Sequence, residues 1–162
     1  MVASRAKGGA LGIRRPGVIV AGVSMKARVK WIDGVAMLGE SGSGHGVVMD
    51  GPPELGGRNV GVRPMEMLLI GMGGCTQFDV LLILRKARQE VTDCVVELTA
   101  DRAATDPKVF TRIHAHFIVT GRGLDPRQVA RAITLSAEKY CSASIMLGAT
   151  AAITHDFECR DA

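Results

Sequence analysis

The feature that most constrains the fold is an eighteen-residue run, Met67 to Leu84, that is apolar apart from Thr76, Gln77 and Asp79. Pro64 sits just before it, at a good first helical position, and Arg85-Lys86-Ala87-Arg88 follows. The pattern predicts a helix from Pro64 to about Gln89, apolar on nearly all sides between Met67 and Leu84. Such a helix belongs in the centre of a molecule or in an interface, not on a solvated surface. Gln77 and Asp79 inside the run, with Glu66 and Arg85 at its ends, argue against a transmembrane reading.

Around this helix the chain reads as short strands and smaller helices. Ala27, Val29 and Trp31 alternate with Arg28 and Lys30. Asp33-Gly34 supplies a type I′ hairpin turn, and Val35 to Glu40 returns. Ser41 to Gly46 is a loop, and Val47 to Asp50 a third strand. Gly51 to Val62 is a Gly/Pro linker expected to be mobile. After the helix come two longer alternating stretches, with Cys94, Val96 and Leu98 on one face of the first. Ile113, Ala115, Phe117 and Val119 share a face of the second. Asp125-Pro126-Arg127-Gln128 starts a second helix, whose inner face is Val129, Ala132, Ile133, Ser136, Ala137 and Tyr140. Ser142 or Ser144 caps a short third helix, Ile145 to Ala149, and Ile153 to Cys159 is a last strand. The order βββ-α-ββ-α-α-β defines an α+β fold.

The chain has 162 residues, enough for one domain with a sizeable core. Its net charge of +4 resides in residues 1–24, which hold Arg5, Lys7, Arg14 and Arg15 and no acid. From Met25 onward the charges balance, and aromatics are few. Both observations argue against a nucleic-acid partner. Val18 to Val23 is too short for the apolar part of a signal peptide. Residues 1–24 read as a disordered extension, residues 25–162 as the folded domain, and the chain as cytoplasmic.

Four cysteines, Cys75, Cys94, Cys141 and Cys159, show neither CxxC nor zinc-finger spacing, so reduced thiols are expected. Cys75 is the most informative. It follows Gly71-Met72-Gly73-Gly74, and three glycines in four helical positions cost roughly 1 kcal/mol each relative to Ala. A helix carries that burden where a backbone or ligand approaches closely. Cys75 is therefore either a reactive thiol or a small buried residue at a helix crossing. Cys94 and Cys159 read as core residues. Asp79 is four residues beyond Cys75, on the same helical face. Its charge would raise a neighbouring thiol's pKa; the alternatives are a bond to Ser142 or Ser144, or service as a site acid. His114 and His116 share a strand face without a convincing third ligand, so no metal is expected. His45 reads as a solvated loop residue.

The stretch Arg63-Pro64-Met65-Glu66-Met67-Leu68-Leu69, with Gly73-Gly74-Cys75-Thr76-Gln77-Phe78-Asp79-Val80, resembles the OsmC/Ohr family of thiol-dependent organic hydroperoxide reductases. Ser136 to Ser142 resembles that family's second cysteine motif. Met25 to Trp31 and Phe117 to Arg122 are most similar to its YhfA-like branch. The resemblance spans about Met25 to the C-terminus. It implies an intertwined homodimer in which β-sheets wrap two long central helices. It also implies Cys75 as peroxidatic and Cys141 as resolving cysteine, an organic hydroperoxide substrate and a dithiol reductant. No cofactor, nucleic-acid partner or membrane is expected. Met72, Phe78 and Met146 are candidates to line an apolar pocket.

Two positions depart from the family pattern. Active members carry an arginine in the first hairpin turn, where this chain has Asp33-Gly34-Val35. They carry a glutamate directly after the helix-starting proline, where this chain has Met65 and then Glu66. Glu66 and Cys75 are nine residues apart, about 180° around an ideal helix. Arg63 is a conceivable substitute cation, or a solvated loop residue. The departures keep a second reading open, a non-enzymatic dimer of the same fold that binds a small apolar ligand. A structural partner of another protein is a third.

Overall fold

The computed structural model describes residues 24–162. The expectation of disorder for residues 1–24 therefore lies, apart from Ser24, outside the described residues. The element order is β1 (Ala27–Asp33), β2 (Ala36–Ser41), β3 (Gly46–Met49), α1 (Pro64–Lys86), β4 (Glu90–Arg102), β5 (Phe110–Arg122), α2 (Pro126–Leu135), α3 (Ser142–Leu147) and β6 (Ala152–Asp161). This is the α+β succession read from the sequence. β1, β2 and β3 form one antiparallel sheet. In the second sheet β5 is central, antiparallel to β4 and parallel to β6.

The first hairpin turns at Gly34 and Val35, between the paired Asp33 and Ala36. Only Gly34 has positive φ, +55°. A type I′ turn needs it at both central residues, so the expected I′ geometry is not adopted. The linker after β3 is tied down rather than loose. The carboxylate of Asp50, itself buried, accepts the backbone N–H groups of Gly51, Arg58 and Val60 at 2.8, 2.8 and 3.2 Å. Those bonds hold the Asp50 carboxyl below the usual carboxylate range.

α1 begins with Pro64 after Arg63, whose backbone N–H donates to Glu66 Oε2 at 2.9 Å. Its C-terminus closes with Arg88 in the left-handed region, φ +58°. There Gln89 N–H reaches the Leu84 carbonyl at 3.0 Å, the closure that glycine usually serves. By length and mean hydropathy (1.8) α1 matches a membrane span. In the fold, however, one side of it forms the core. Val80 and Leu84 pack with Cys94 of β4, Ala115, Phe117 and Val119 of β5, and Val129, Ala132 and Ile133 of α2. A second cluster joins Met72 to Phe110, Ile113 and Ala151. Gln77 inside the apolar run donates from Nε2 to the Cys94 carbonyl, tying α1 to β4.

Candidate functional site

α2 starts as its sequence predicts, with Asp125 accepting the Arg127 N–H at 2.9 Å and Pro126 at the first position. It then ends at Leu135, earlier than its apolar pattern, and passes into a π-helical turn over Ser136–Tyr140. That turn closes with Cys141 N–H donating to the Ser136 carbonyl at 2.9 Å. The wider turn takes Tyr140 off the inner face, leaving it half exposed. It leaves Ser136 and Cys141, both fully buried, against α1. The cap of α3 is neither Ser142 nor Ser144 but Cys141, whose Sγ accepts the Ser144 N–H at 3.4 Å.

The sulfurs of Cys75 and Cys141 and a carboxylate oxygen of Asp79 all lie within 4.8 Å of one another. The cysteines stand 66 residues apart in the chain, and both are free thiols. Cys75 and Asp79 are half-buried, Cys141 wholly so. Burial pushes the Cys141 thiol up, and the neighbouring Cys75 sulfur adds to this. Asp79 is held by Ser136 rather than by the serines of α3. Ser136 Oγ lies 3.4 Å from Asp79 Oδ2 and 2.9 Å from Thr76 Oγ1.

The glycines before Cys75 divide their roles. A Cβ at Gly73 would stand 2.5 Å from Leu98 Cδ1, so β4 makes the close approach there. At Gly71 and Gly74 a Cβ would meet nothing within 4 Å, so that flank of the helix is open. The expected apolar lining is corrected at Met72, which is a core residue at 1% exposure, while Phe78 and Met146 are exposed. Between α1 and α2 a cavity of about 430 Å³ starts at Asp79 and extends past Leu82, Leu135 and Arg131 to Lys86.

The remaining candidates fall elsewhere. Arg63 and Glu66 pair with each other at 2.9 Å, and nine residues of helix put Glu66 about 13 Å along the axis from Cys75. His114 and His116 share a face, as read, and flank Asp156, whose Oδ1 is 2.5 Å from His116 Nδ1 and 3.4 Å from His114 Nε2. His45 is in the exposed loop beside Ser43. Cys94 is buried and Cys159 packs on the same core, with burial raising both thiols. The spacing of α2 puts Ser136 on an apolar face. Its bond to Asp79 goes with the π turn, which has no glycine, proline or break in period to mark it.

A family model described as OsmC-like protein matches residues 56–156. Protein YhfA of Escherichia coli K12 is 52% identical over 137 residues, covering 83% of this chain and 97% of that protein. A hypothetical protein from Aquifex aeolicus VF5 superposes with a TM-score of 0.77 at 26% identity, covering 87% of this chain and 99% of that one. An organic hydroperoxide resistance protein OsmC from Legionella pneumophila has the same fold, with a TM-score of 0.65 at 17% identity over 84% and 97% of the two chains.

Proposed function

We propose that this chain, which belongs to the OsmC-like protein family, is a cysteine-based peroxidase that reduces organic hydroperoxides as a homodimer. The observation that carries the reading is the approach of Cys75 and Cys141, two free thiols within 4.8 Å across 66 residues of sequence. Reduction of a hydroperoxide needs a first thiolate that the substrate can reach and a second thiol that can reach the first. Cys75 is the more accessible sulfur. Its thiolate attacks the terminal peroxide oxygen, the O–O bond breaks, and the alkoxide leaves with a proton as alcohol. Cys75 becomes a sulfenic acid. Cys141 sulfur then attacks the Cys75 sulfur and displaces the hydroxyl as water, forming a disulfide. A dithiol reductant returns both thiols and carries away the two electrons. The raised Cys141 pKa suits a sulfur that stays protonated until it resolves the sulfenate.

The homodimer reading is supported by the bare side of α1. Leu68, Ile70, Phe78, Leu81 and Leu82 are exposed along it in the single chain, and Ile145 and Met146 of α3 are exposed as well. The proposal sets the protein in the cytoplasm, where thiol reductants keep such a pair cycling.

The test is consumption of cumene hydroperoxide by the pre-reduced protein, followed with intact mass. The wild type is expected to remove one equivalent per chain and lose two mass units as the disulfide forms. Cys141→Ser is expected to stop at the sulfenate, 16 units heavier, and Cys75→Ser to remove none. Inert wild-type thiols would end the peroxidase reading. The second reading, a dimer that binds a small apolar ligand without turnover, is favoured by two observations, the carboxylate of Asp79 beside the thiols and the absence of arginine from the 33–35 turn. Inert thiols together with a co-purified ligand in native mass spectrometry would select it.

A further inference from the structure

The thiol pair has a third neighbour that peroxide reduction does not use. Asp79 adds a carboxylate to two sulfurs, and among the described residues no lysine, arginine or histidine forms an ion pair with it. Fully deprotonated, the group carries three negative charges in a site that is half-buried at Cys75 and Asp79 and wholly buried at Cys141. Mutual repulsion opposes that state unless a cation occupies the middle. We propose that Cys75, Cys141 and Asp79 form a binding site for a thiophilic divalent cation, Zn²⁺ in the first instance. We further propose that cation binding and the Cys75–Cys141 disulfide exclude one another.

The geometry fits that ion. Tetrahedral Zn²⁺ holds thiolates at about 2.3 Å and carboxylate oxygens at about 2.0–2.2 Å, which sets ligand–ligand edges of roughly 3.3–3.8 Å. The three donor atoms lie within 4.8 Å of one another, so closing on the metal takes movements of about 1 Å. Two ligands come from one helical face, Cys75 and Asp79 at i and i+4. The third comes from the segment that the π turn delivers. Outer hydrogen bonds are already in place: the Ser144 N–H points at Cys141 Sγ and the Ser136 hydroxyl at Asp79 Oδ2. Partners of this kind orient metal ligands and raise affinity. The donor set of two thiolates and one carboxylate leaves a fourth position for water.

Binding releases two thiol protons as both sulfurs become thiolate ligands. Oxidation of the loaded site by an organic hydroperoxide takes up two protons and two sulfur electrons. It yields the alcohol, one water, the Cys75–Cys141 disulfide and free Zn²⁺, because disulfide sulfur no longer offers an anionic donor. The cation therefore holds the thiols reduced and shields them, and oxidant expels it. This second half rests on the peroxidase reading. The site itself does not, and the experiment separates them.

Cobalt(II) serves as a coloured substitute for zinc, titrated anaerobically into the reduced full-length chain. The expected result is one cobalt per chain, with thiolate-to-cobalt charge transfer in the near ultraviolet and the d–d bands of a tetrahedral site. One equivalent of Zn²⁺ should bleach both. Cys75→Ser should roughly halve the charge-transfer intensity. Asp79→Asn should weaken cobalt binding at least about tenfold, and Asp79→Glu should restore most of the loss, which separates ligation from folding. No thiolate band, a band unchanged in Cys75→Ser, or an affinity unchanged in Asp79→Asn would overturn the site. Cumene hydroperoxide added to the cobalt-loaded protein should then bleach the bands as the disulfide forms. Disulfide formation with the metal retained overturns the exclusion. Cobalt binding by a protein whose metal-free, reduced form consumes no peroxide leaves the site standing and removes the peroxidase.

Discussion

Cys141 illustrates how one side chain takes on two structural tasks and, in the proposed reaction, a chemical one. It is fully buried, caps α3 through its sulfur and lies beside Cys75. A helix-capping thiol has no common sequence signature, since Ser, Thr, Asp and Asn dominate that position. The two serines nearby were therefore the natural candidates. His116 and Asp156 make a different point. Their bond raises the His116 pKa and lowers that of Asp156. The histidine's contribution is complete below its unfolded value of about 6.5 and disappears as pH rises through the higher folded value. The aspartate's contribution is present above about 3.9 and disappears as pH falls through the lower folded value. The pair thus stabilises most between these limits. His116→Ala is expected to flatten the fall in urea midpoint between pH 6 and 9. Identical pH profiles for variant and wild type would refute the assignment. The effect is small, because both side chains are partly solvated.

At the scale of elements, α1 and the π turn after α2 bring Cys75, Asp79 and Cys141 together. Pro64, the apolar run and the basic tail make α1 legible, and the helix ends at Lys86, just short of the expected Gln89. The helix stops because Arg88 adopts φ +58°, a left-handed conformation costing a residue with a Cβ about 1 kcal/mol or more. Arg88→Gly is therefore expected to stabilise the fold by about 1 kcal/mol in urea unfolding, partly offset by the greater freedom of unfolded glycine. An unchanged or lower midpoint would show that the strain is relieved elsewhere. The π turn was not legible, because Leu135 to Tyr140 continues the amphipathic spacing of α2 without a glycine or proline.

The whole molecule is distinguished by what one chain leaves uncovered. β1 is exposed along its length, with Val29 and Trp31 more than half open, and so is the Leu68–Phe78 side of α1. Single chains rarely leave apolar surface of that extent to water. Sedimentation at micromolar concentration is expected to give twice the chain mass. Phe78→Glu is expected to dissociate the pair or render the protein insoluble. A wild-type species of single-chain mass, stable in solution, would contradict the homodimer and leave the open flank of Gly71 and Gly74 without a partner.

Period and punctuation in the sequence determined the element order, the α+β class and the inward faces of β4 and β5. Those depend on local dihedral preferences and on which side chains avoid water, both of which neighbouring residues specify. Family membership was equally legible, through the residues around Cys75 and Cys141. The meeting of Cys75, Cys141 and Asp79, the Ser136 bond and the core position of Met72 were settled only by tertiary structure. The first two depend on how α1 and the turn after α2 are set against one another, and the third on how α1 lies over β5. A one-residue change of pitch, as in the π turn, redirects every side chain beyond it.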